Sequence, residues 1–214
     1  MSAITDWRRY PDADLPPILQ ASLAEFVEHG YDGTSVRNIA GRLGVTVPAL
    51  YYHYENKQAL LVALLERAMD LVDSHTRAAA DEAGADPVAR LAAIVEAIAL
   101  YMAQHAKLAF LHSELRSLTD EHRARYVARR DALESLLRDC LEQGLRSGEF
   151  STPWVADCAR AILSMCQGIA GWYDPHGADD PSAIARRHVQ LSLSMMGASA
   201  TGMSVTASEG AHQG

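Results

Sequence analysis

The sequence lacks several features that would announce a function, and each absence excludes something. It has no surplus of positive charge: 19 lysines and arginines stand against 27 aspartates and glutamates, a formal net charge of −8. A protein that met nucleic acid with its whole surface would be basic, so any such contact has to be local. Cysteine is scarce. Cys140, Cys158 and Cys166 are the three in the chain, and none forms a CxxC. Cys158 and Cys166 share one apolar helical stretch but lie too far along it to bridge each other. An odd count without metal-ligand spacing fits small buried side chains in a reducing compartment. The opening "MSAITDWRRYPDADLPP" has no apolar core of the secretory kind, and no run of 18 apolar residues follows. Neither export nor a membrane span is expected, and the expected location is cytoplasmic. None of GxSxG, HExxH, GxGxxG or GxxxxGKS occurs. The carboxylates are scattered on charged faces, so no enzyme activity and no cofactor are expected.

What is present is apolar and helical. Hydrophobic residues make up 49% of the 214, enough for a real core in one large domain or two small ones. No segment alternates with a period of two long enough to be a strand. Residues 1–14, polar and holding Pro11, are expected as a loose arm. From Pro17, Ile18, Leu19, Leu23, Phe26 and Val27 share one helical face until Gly30 stops it. Thr34 or Ser35 caps "VRNIAGRLG", and Thr46 caps a third helix with Pro48 in its first turn. A long helix is expected from about Lys57 to Ala80, and "DEAGADP", 81–87, reads as a linker. Beyond it "VARLAAIVEAIALYMAQH", "AKLAFLHSELRSL", a charge-laced segment striped by Leu133, Leu136, Leu137, Leu141 and Leu145, a helix opened by "STPW", and "AIARRHVQLSLSMMG" all read as helical. Residues 198–214, small and polar, are expected as a disordered tail. The fold class is all-α with about nine helices. The expected division is an arm over 1–14, a head over 15–60, a body over 61–197 and the tail.

One stretch of the head demands a surface to meet. "TVPALYYHYENKQAL" sets Tyr51, Tyr52, His53 and Tyr54 side by side, more polar-tipped rings than a buried helix needs. The two short helices and the "LGVT" turn between them have the spacing of a helix-turn-helix, whose second helix enters the major groove. Leu50 then anchors that helix inward and Tyr54, one helical step on, belongs to the core. Val47, Pro48, Ala49 and Tyr51 face the groove, while Tyr52, His53 and Lys57 meet phosphates. Residues 1–60 hold five basic and seven acidic side chains, but residues 33–54 carry Arg37 and Arg42 and no acid. The positive surface is confined to the docking face. Few phosphates are neutralised per head, which implies modest affinity for non-specific DNA.

Residues 18–65, with "F-x-x-x-G-Y", "T-S-V-R-N-I-A", "L-G-V", "A-L-Y-Y-H-Y" and "N-K-Q-A-L-L" in order, resemble the DNA-binding head of TetR-family transcriptional regulators. The resemblance implies that Thr34 and Ser35 reach phosphate, that Arg37 and Arg42 lie along the second helix, and that Tyr51 contacts a base or phosphate. Tyr52 and His53 match the family's aromatic–His phosphate pair, and Lys57 matches the Lys opening its fourth helix. The lead-in Val47, Pro48 and Ala49 departs from the polar base readers common there. Base reading then leans on Tyr51, Thr46 and apolar contact with thymine methyls.

A head of this size buries too little to bind a specific site alone, so a homodimer on a palindromic double-stranded operator is expected. The resemblance implies a four-helix dimer bundle from the last two helices. Their small and apolar residues Ala159, Ile162, Leu163, Cys166, Ile169, Val189, Leu193 and Met196 are the candidate interface. It also implies that the body holds a small-molecule effector whose binding releases DNA. Candidate pocket residues are Tyr101, Met102, His105, Phe110, His112, Glu114, Met165, Trp172 and Tyr173, a mix of large apolar groups and a few polar ones. His105, His112 and Glu114 form no HxxxH or HxxE pair, and no metal site is expected. "GWYDPHG" is faintly like the helix ending of some acyl-CoA-responsive members. Its helix offers only Arg160 for phosphates, and a neutral hydrophobic effector fits equally well. The expected function is a ligand-responsive repressor. The alternative is a helical small-molecule-binding or scaffold protein without specific DNA binding.

Overall fold

The computed structural model describes residue 4 and residues 6–198. Among them are nine α-helices and one 3-10 helix, with no strand. The expected tail lies outside the described residues apart from Ala198.

The head consists of α1 (Pro17–Gly33), α2 (Val36–Leu43) and α3 (Val47–His53). α1 bends at Gly30, where the backbone leaves helical geometry. Ser35 and Asn38 form a capping box at the start of α2. Gly44 closes that helix at φ 69°, a conformation that costs a residue with a Cβ and lets the chain turn sharply into α3. Thr46 accepts the Ala49 N–H to cap α3. Ile39, Ala40 and Leu50 are buried where α2 and α3 meet. Tyr54, expected in the core, is half-buried and packs against it.

α4 (Lys57–Ala83) runs from head to body, with Asn56 capping its start. The body adds α5 (Pro87–Gln104), α6 (Ala106–Phe110), the 3-10 helix Leu111–Ser117, α7 (Asp120–Ser147), α8 (Val155–Trp172) and α9 (Pro181–Met195). α5 is long and apolar enough to cross a membrane by composition alone, although Arg90 and Glu96 interrupt its apolar run. Its character has another cause here: it packs against α4, α7, α8 and α9. Leu91, Ile94, Val95 and Ile98 on it are at most 1% exposed. Each such side chain contributes roughly 1.5–3 kcal/mol by leaving water. On α7 the leucine stripe divides: Leu133, Leu137 and Leu141 are buried, whereas Leu136 and Leu145 are half-buried.

Two expectations are corrected. The N-terminal segment is not loose. Trp7, Tyr10 and Leu15 are buried, Tyr10 stacks on His75 at 3.9 Å, and its hydroxyl donates to the Ala97 carbonyl. Arg8 pairs with Glu82 and Glu96 outside. The aromatic residues of this segment bury enough apolar surface to hold it as a strap across α4 and α5. The Ser/Thr pair of "STPW" does not cap α8, which starts at Val155 without a side-chain cap. Ser151 and Thr152 instead donate to the carbonyls of Gly197 and Met195, tying this loop to the end of α9.

Candidate nucleic-acid interface and effector cavities

α3 presents its outer face to solvent. Leu50 is fully buried, which turns the opposite side outward: Pro48, Ala49, Tyr51, Tyr52 and His53 are exposed, with Tyr52 at 86%. Tyr52 and His53 pack edge to face at 5.1 Å, so both rings stand out together at the end of the helix. Thr46 is exposed and Val47 half-buried. Ser35 and Arg37 are exposed at the start of α2.

Three of the candidate DNA residues are engaged inside the head. Thr34 is 3% exposed, and its hydroxyl donates to the carbonyls of Glu25 and Gly30. This corrects its expected surface role: the hydroxyl closes the bend of α1. Arg42 donates from Nε to Glu25 at 2.7 Å and from a terminal nitrogen to Glu28 at 3.1 Å. Its hydrogen bond to Glu28 holds that carboxyl below the usual carboxylate range. Two acids therefore offset the charge of Arg42, and Arg37 is the arginine of α2 without an ion pair among the described contacts. Lys57 is half-buried. Its Nζ donates to the carbonyls of Tyr31 at 2.7 Å and Thr34 at 2.8 Å and lies 4.0 Å from the Tyr31 ring centre. The ammonium staples α4 to the α1–α2 junction.

The nine candidate effector residues do not form one site. Tyr101, Met102 and His112 line a small inner cavity of about 40 Å³ among α4, α5, α6, α7 and α8. His105, Phe110 and Tyr173 line a wider groove of about 540 Å³ between α1 and the ends of α5 and α8. Glu114 reaches the head instead, its Oε1 accepting the Tyr31 N–H at 3.3 Å. Met165 is half-buried on α8, and Trp172 is exposed and stacked on His188.

Polar groups inside the body stand out. The hydroxyl of Tyr101 and Nε2 of His105 are buried without a hydrogen-bond partner. Burial pushes Tyr101 far above its ordinary value and His105 below its own. Residues of α7 that the sequence reading passed over, Tyr126 and Arg130, complete the inner cavity beside Gln167 of α8. A signal existed: "HRARYVARR", 122–130, is a basic run without an acid on an otherwise mixed helix.

Most of the candidate dimer residues face inward in the single chain. Ala159, Ile162, Cys166, Ile169 and Met196 are wholly buried within the single chain, Leu163 and Leu193 nearly so, and Val189 is half-buried. α8 and α9 turn that stripe toward α5. Their outer faces carry Ala161, Ser164, Gly168 and Trp172 on α8, and Arg187 and Leu191 on α9. Trp154, Trp172 and Leu191 are more than half exposed there.

This arrangement, a helix-turn-helix head joined by a long helix to an all-helical sensing body, defines a ligand-responsive DNA-binding transcription regulator. Residues 18–64 match the family described as bacterial regulatory proteins, tetR family, and residues 84–196 match the tetracyclin repressor-like C-terminal domain. The chain belongs to the TetR family. It is 27% identical over 183 residues to the HTH-type transcriptional repressor KstR2 of Rhodococcus jostii, covering 82% of this chain and 87% of KstR2. A tetR-family regulatory protein from Rhodococcus RHA1 superposes with a TM-score of 0.78 at 30% identity, over 86% of this chain and 96% of that one. AibR, solved with isovaleryl coenzyme A and operator DNA, superposes with a TM-score of 0.75 at 28% identity, over 81% of this chain and 95% of AibR. The chain is a ligand-responsive repressor of this family.

Proposed function

We propose that the chain acts in the cytoplasm as a homodimer. It holds a palindromic operator with two copies of α3 and releases it when a small effector enters the body. The observation that carries this reading is the exposed row Pro48, Ala49, Tyr51, Tyr52 and His53 on a helix anchored by buried Leu50. The acid-free segment 33–54 around it supports the same face. Val47, Pro48, Ala49 and Tyr51 meet base edges, with Thr46 at the helix start. Ser35, Arg37, Tyr52 and His53 meet phosphates. Thr34, Arg42 and Lys57 shape the head from within.

Dimerisation is assigned to the outer faces of α8 and α9. Gly168 and Gly171 sit in α8 where an added Cβ would meet no close atom of the chain. Glycine inside a helix costs about 1 kcal/mol relative to alanine. Its presence there suits the close approach of a second helix.

The effector is a small molecule bound between α4, α5, α7 and α8, and AibR's complex favours an acyl coenzyme A over a neutral compound. The protein is read as a transcription factor and not as an enzyme. The test is titration of a selected operator with Tyr51→Ala. The expected loss is about 1–3 kcal/mol, with relaxed preference at one base position. Unchanged affinity and unchanged preference would remove α3 from the groove.

A further inference from the structure

The leading end of α3 is chemically narrow. Thr46 opens it with an oxygen that accepts the Ala49 N–H at 3.4 Å. Val47, Pro48 and Ala49 follow, all hydrocarbon, and Pro48 has no backbone N–H to offer a phosphate. Val45, in the turn just before, is 43% exposed. Polar side chains that could reach past this row are engaged elsewhere. Ser35 and Asn38 bond each other in the capping box of α2. Arg42 lies on Glu25 and Glu28, and Lys57 on the carbonyls of Tyr31 and Thr34. Of the four side chains assigned to base edges, Val47, Pro48, Ala49 and Tyr51, only Tyr51 carries a hydrogen-bonding group. Hydrocarbon cannot tell the O4 acceptor of thymine from the N4 donor of cytosine. It can tell a methyl group from a hydrogen, and the C5 position of a pyrimidine displays that difference in the major groove. Burying one methyl group between such a row and a base gains roughly fourfold in affinity.

We infer that Val47, Pro48 and Ala49 read the C5-methyl groups of pyrimidines, and that methylation of an operator cytosine at the step they face strengthens binding. 5-Methylcytosine presents the same methyl group in the same place as thymine. The row therefore accepts either base and disfavours unmethylated cytosine. Occupancy of such an operator depends on its methylation as well as on the effector. This rests on the reading of the chain as a repressor whose α3 enters the major groove. In a two-fold complex each step occurs twice, so a symmetric pair of methyl groups is worth on the order of tenfold.

The test uses the full chain and a duplex carrying half-sites selected from a random pool. Each thymine is replaced in turn by uracil, which removes the C5-methyl group and keeps every hydrogen-bonding atom. At one or two steps per half-site, affinity should fall by roughly fourfold for each methyl group lost. At those steps a C·G pair should bind about as weakly as U·A, and 5-methylcytosine in the same place should restore the binding of T·A. The thymine-to-uracil ratio should stay constant between about 50 and 200 mM salt, since no phosphate contact changes. Pro48→Ala, which keeps a good helix former in the first turn, should shrink that ratio, and so should Ala49→Gly. Arg37→Ala should weaken both duplexes alike. Indifference to uracil at every step overturns the inference, as does a C·G operator that 5-methylcytosine does not rescue. Discrimination that survives both Pro48→Ala and Ala49→Gly also overturns it, because the methyl groups then act through the shape of the duplex. In each of these cases an operator is bound, and the repressor reading stands. If no duplex is selected at all, that reading falls and takes the inference with it.

Discussion

The carboxylate of Glu114 accepts a hydrogen bond from the backbone N–H of Tyr31 across 3.3 Å, joining the body's 3-10 helix to the bent end of α1. Two residues earlier in the same short helix, His112 lines the inner cavity. Tyr31 in turn offers its carbonyl to Lys57. Cavity, 3-10 helix, α1 and α4 thus form one connected series. A shift of the 3-10 helix by a ligand would be felt at the head, and such couplings are typically worth about 1–3 kcal/mol.

Glu114→Ala should cut that link. The Tyr31 amide should exchange with solvent faster by about tenfold in hydrogen-exchange measurements, with the core of α5 unchanged. Unaltered protection at Tyr31 would show that Glu114 carries none of the coupling.

Lys57→Ala should act on stability before it acts on DNA. Its ammonium donates to two carbonyls at a partly buried junction, and hydrogen bonds from charged groups contribute about 1.5–3 kcal/mol. In a chain of this size, a melting point lower by roughly 3–10 °C should follow. The salt slope of operator binding should stay as in the parent, since the lost charge was not on phosphate. A smaller slope with an unchanged melting point would put Lys57 on DNA instead.

Gly168→Arg should leave the folded chain intact, because the space beyond that Cα is open apart from the Trp172 indole nitrogen at 3.9 Å. It should split the dimer, measured as mass by light scattering. The buried-stripe change Ile162→Ala should instead cost about 2–5 kcal/mol of folding stability. A dimer that survives Gly168→Arg would place the interface elsewhere.

His105 makes stability depend on pH. Burial holds its folded pKa below the ordinary histidine value, and its Nε2 has no partner. The folded protein prefers the neutral ring, so this contribution is full above about pH 6.5, the unfolded value. It is lost as pH falls through the lower folded value, because the unfolded chain takes up the proton first. His105→Gln should narrow the difference in melting point between pH 7.5 and pH 5. An identical difference would show that folding does not change the proton affinity of His105.

Much of the head was legible because its signals are local. Gly44 marks a turn, Thr46 a cap, Leu50 an anchor, and their spacing fixes the helix-turn-helix within a dozen residues. The body was legible as helices but not as faces. On α8, an apolar stripe reads the same whether it meets α5 or a partner, and only packing shows that Ile162 and Cys166 turn inward. The contacts of Thr34, Arg42 and Lys57 within the head were hidden for a related reason. A hydroxyl or cation keeps its chemistry in sequence, but Glu25, Glu28 and the Tyr31 carbonyl that engage them come from helices elsewhere in the chain. The strap was misjudged because polar composition hid Trp7 and Tyr10, whose partners His75 and Ala97 lie far along the sequence.

The central claim is that α3 reads a two-fold operator. It is tested most directly by selecting bound sequences from a random DNA pool with the purified chain at near-physiological salt. The predicted result is an enriched palindrome whose half-sites lie about one helical turn, roughly 34–36 Å, apart. Enrichment should fall when Tyr51 is replaced by alanine. A pool that stays unenriched, with and without an acyl coenzyme A as additive, would contradict it.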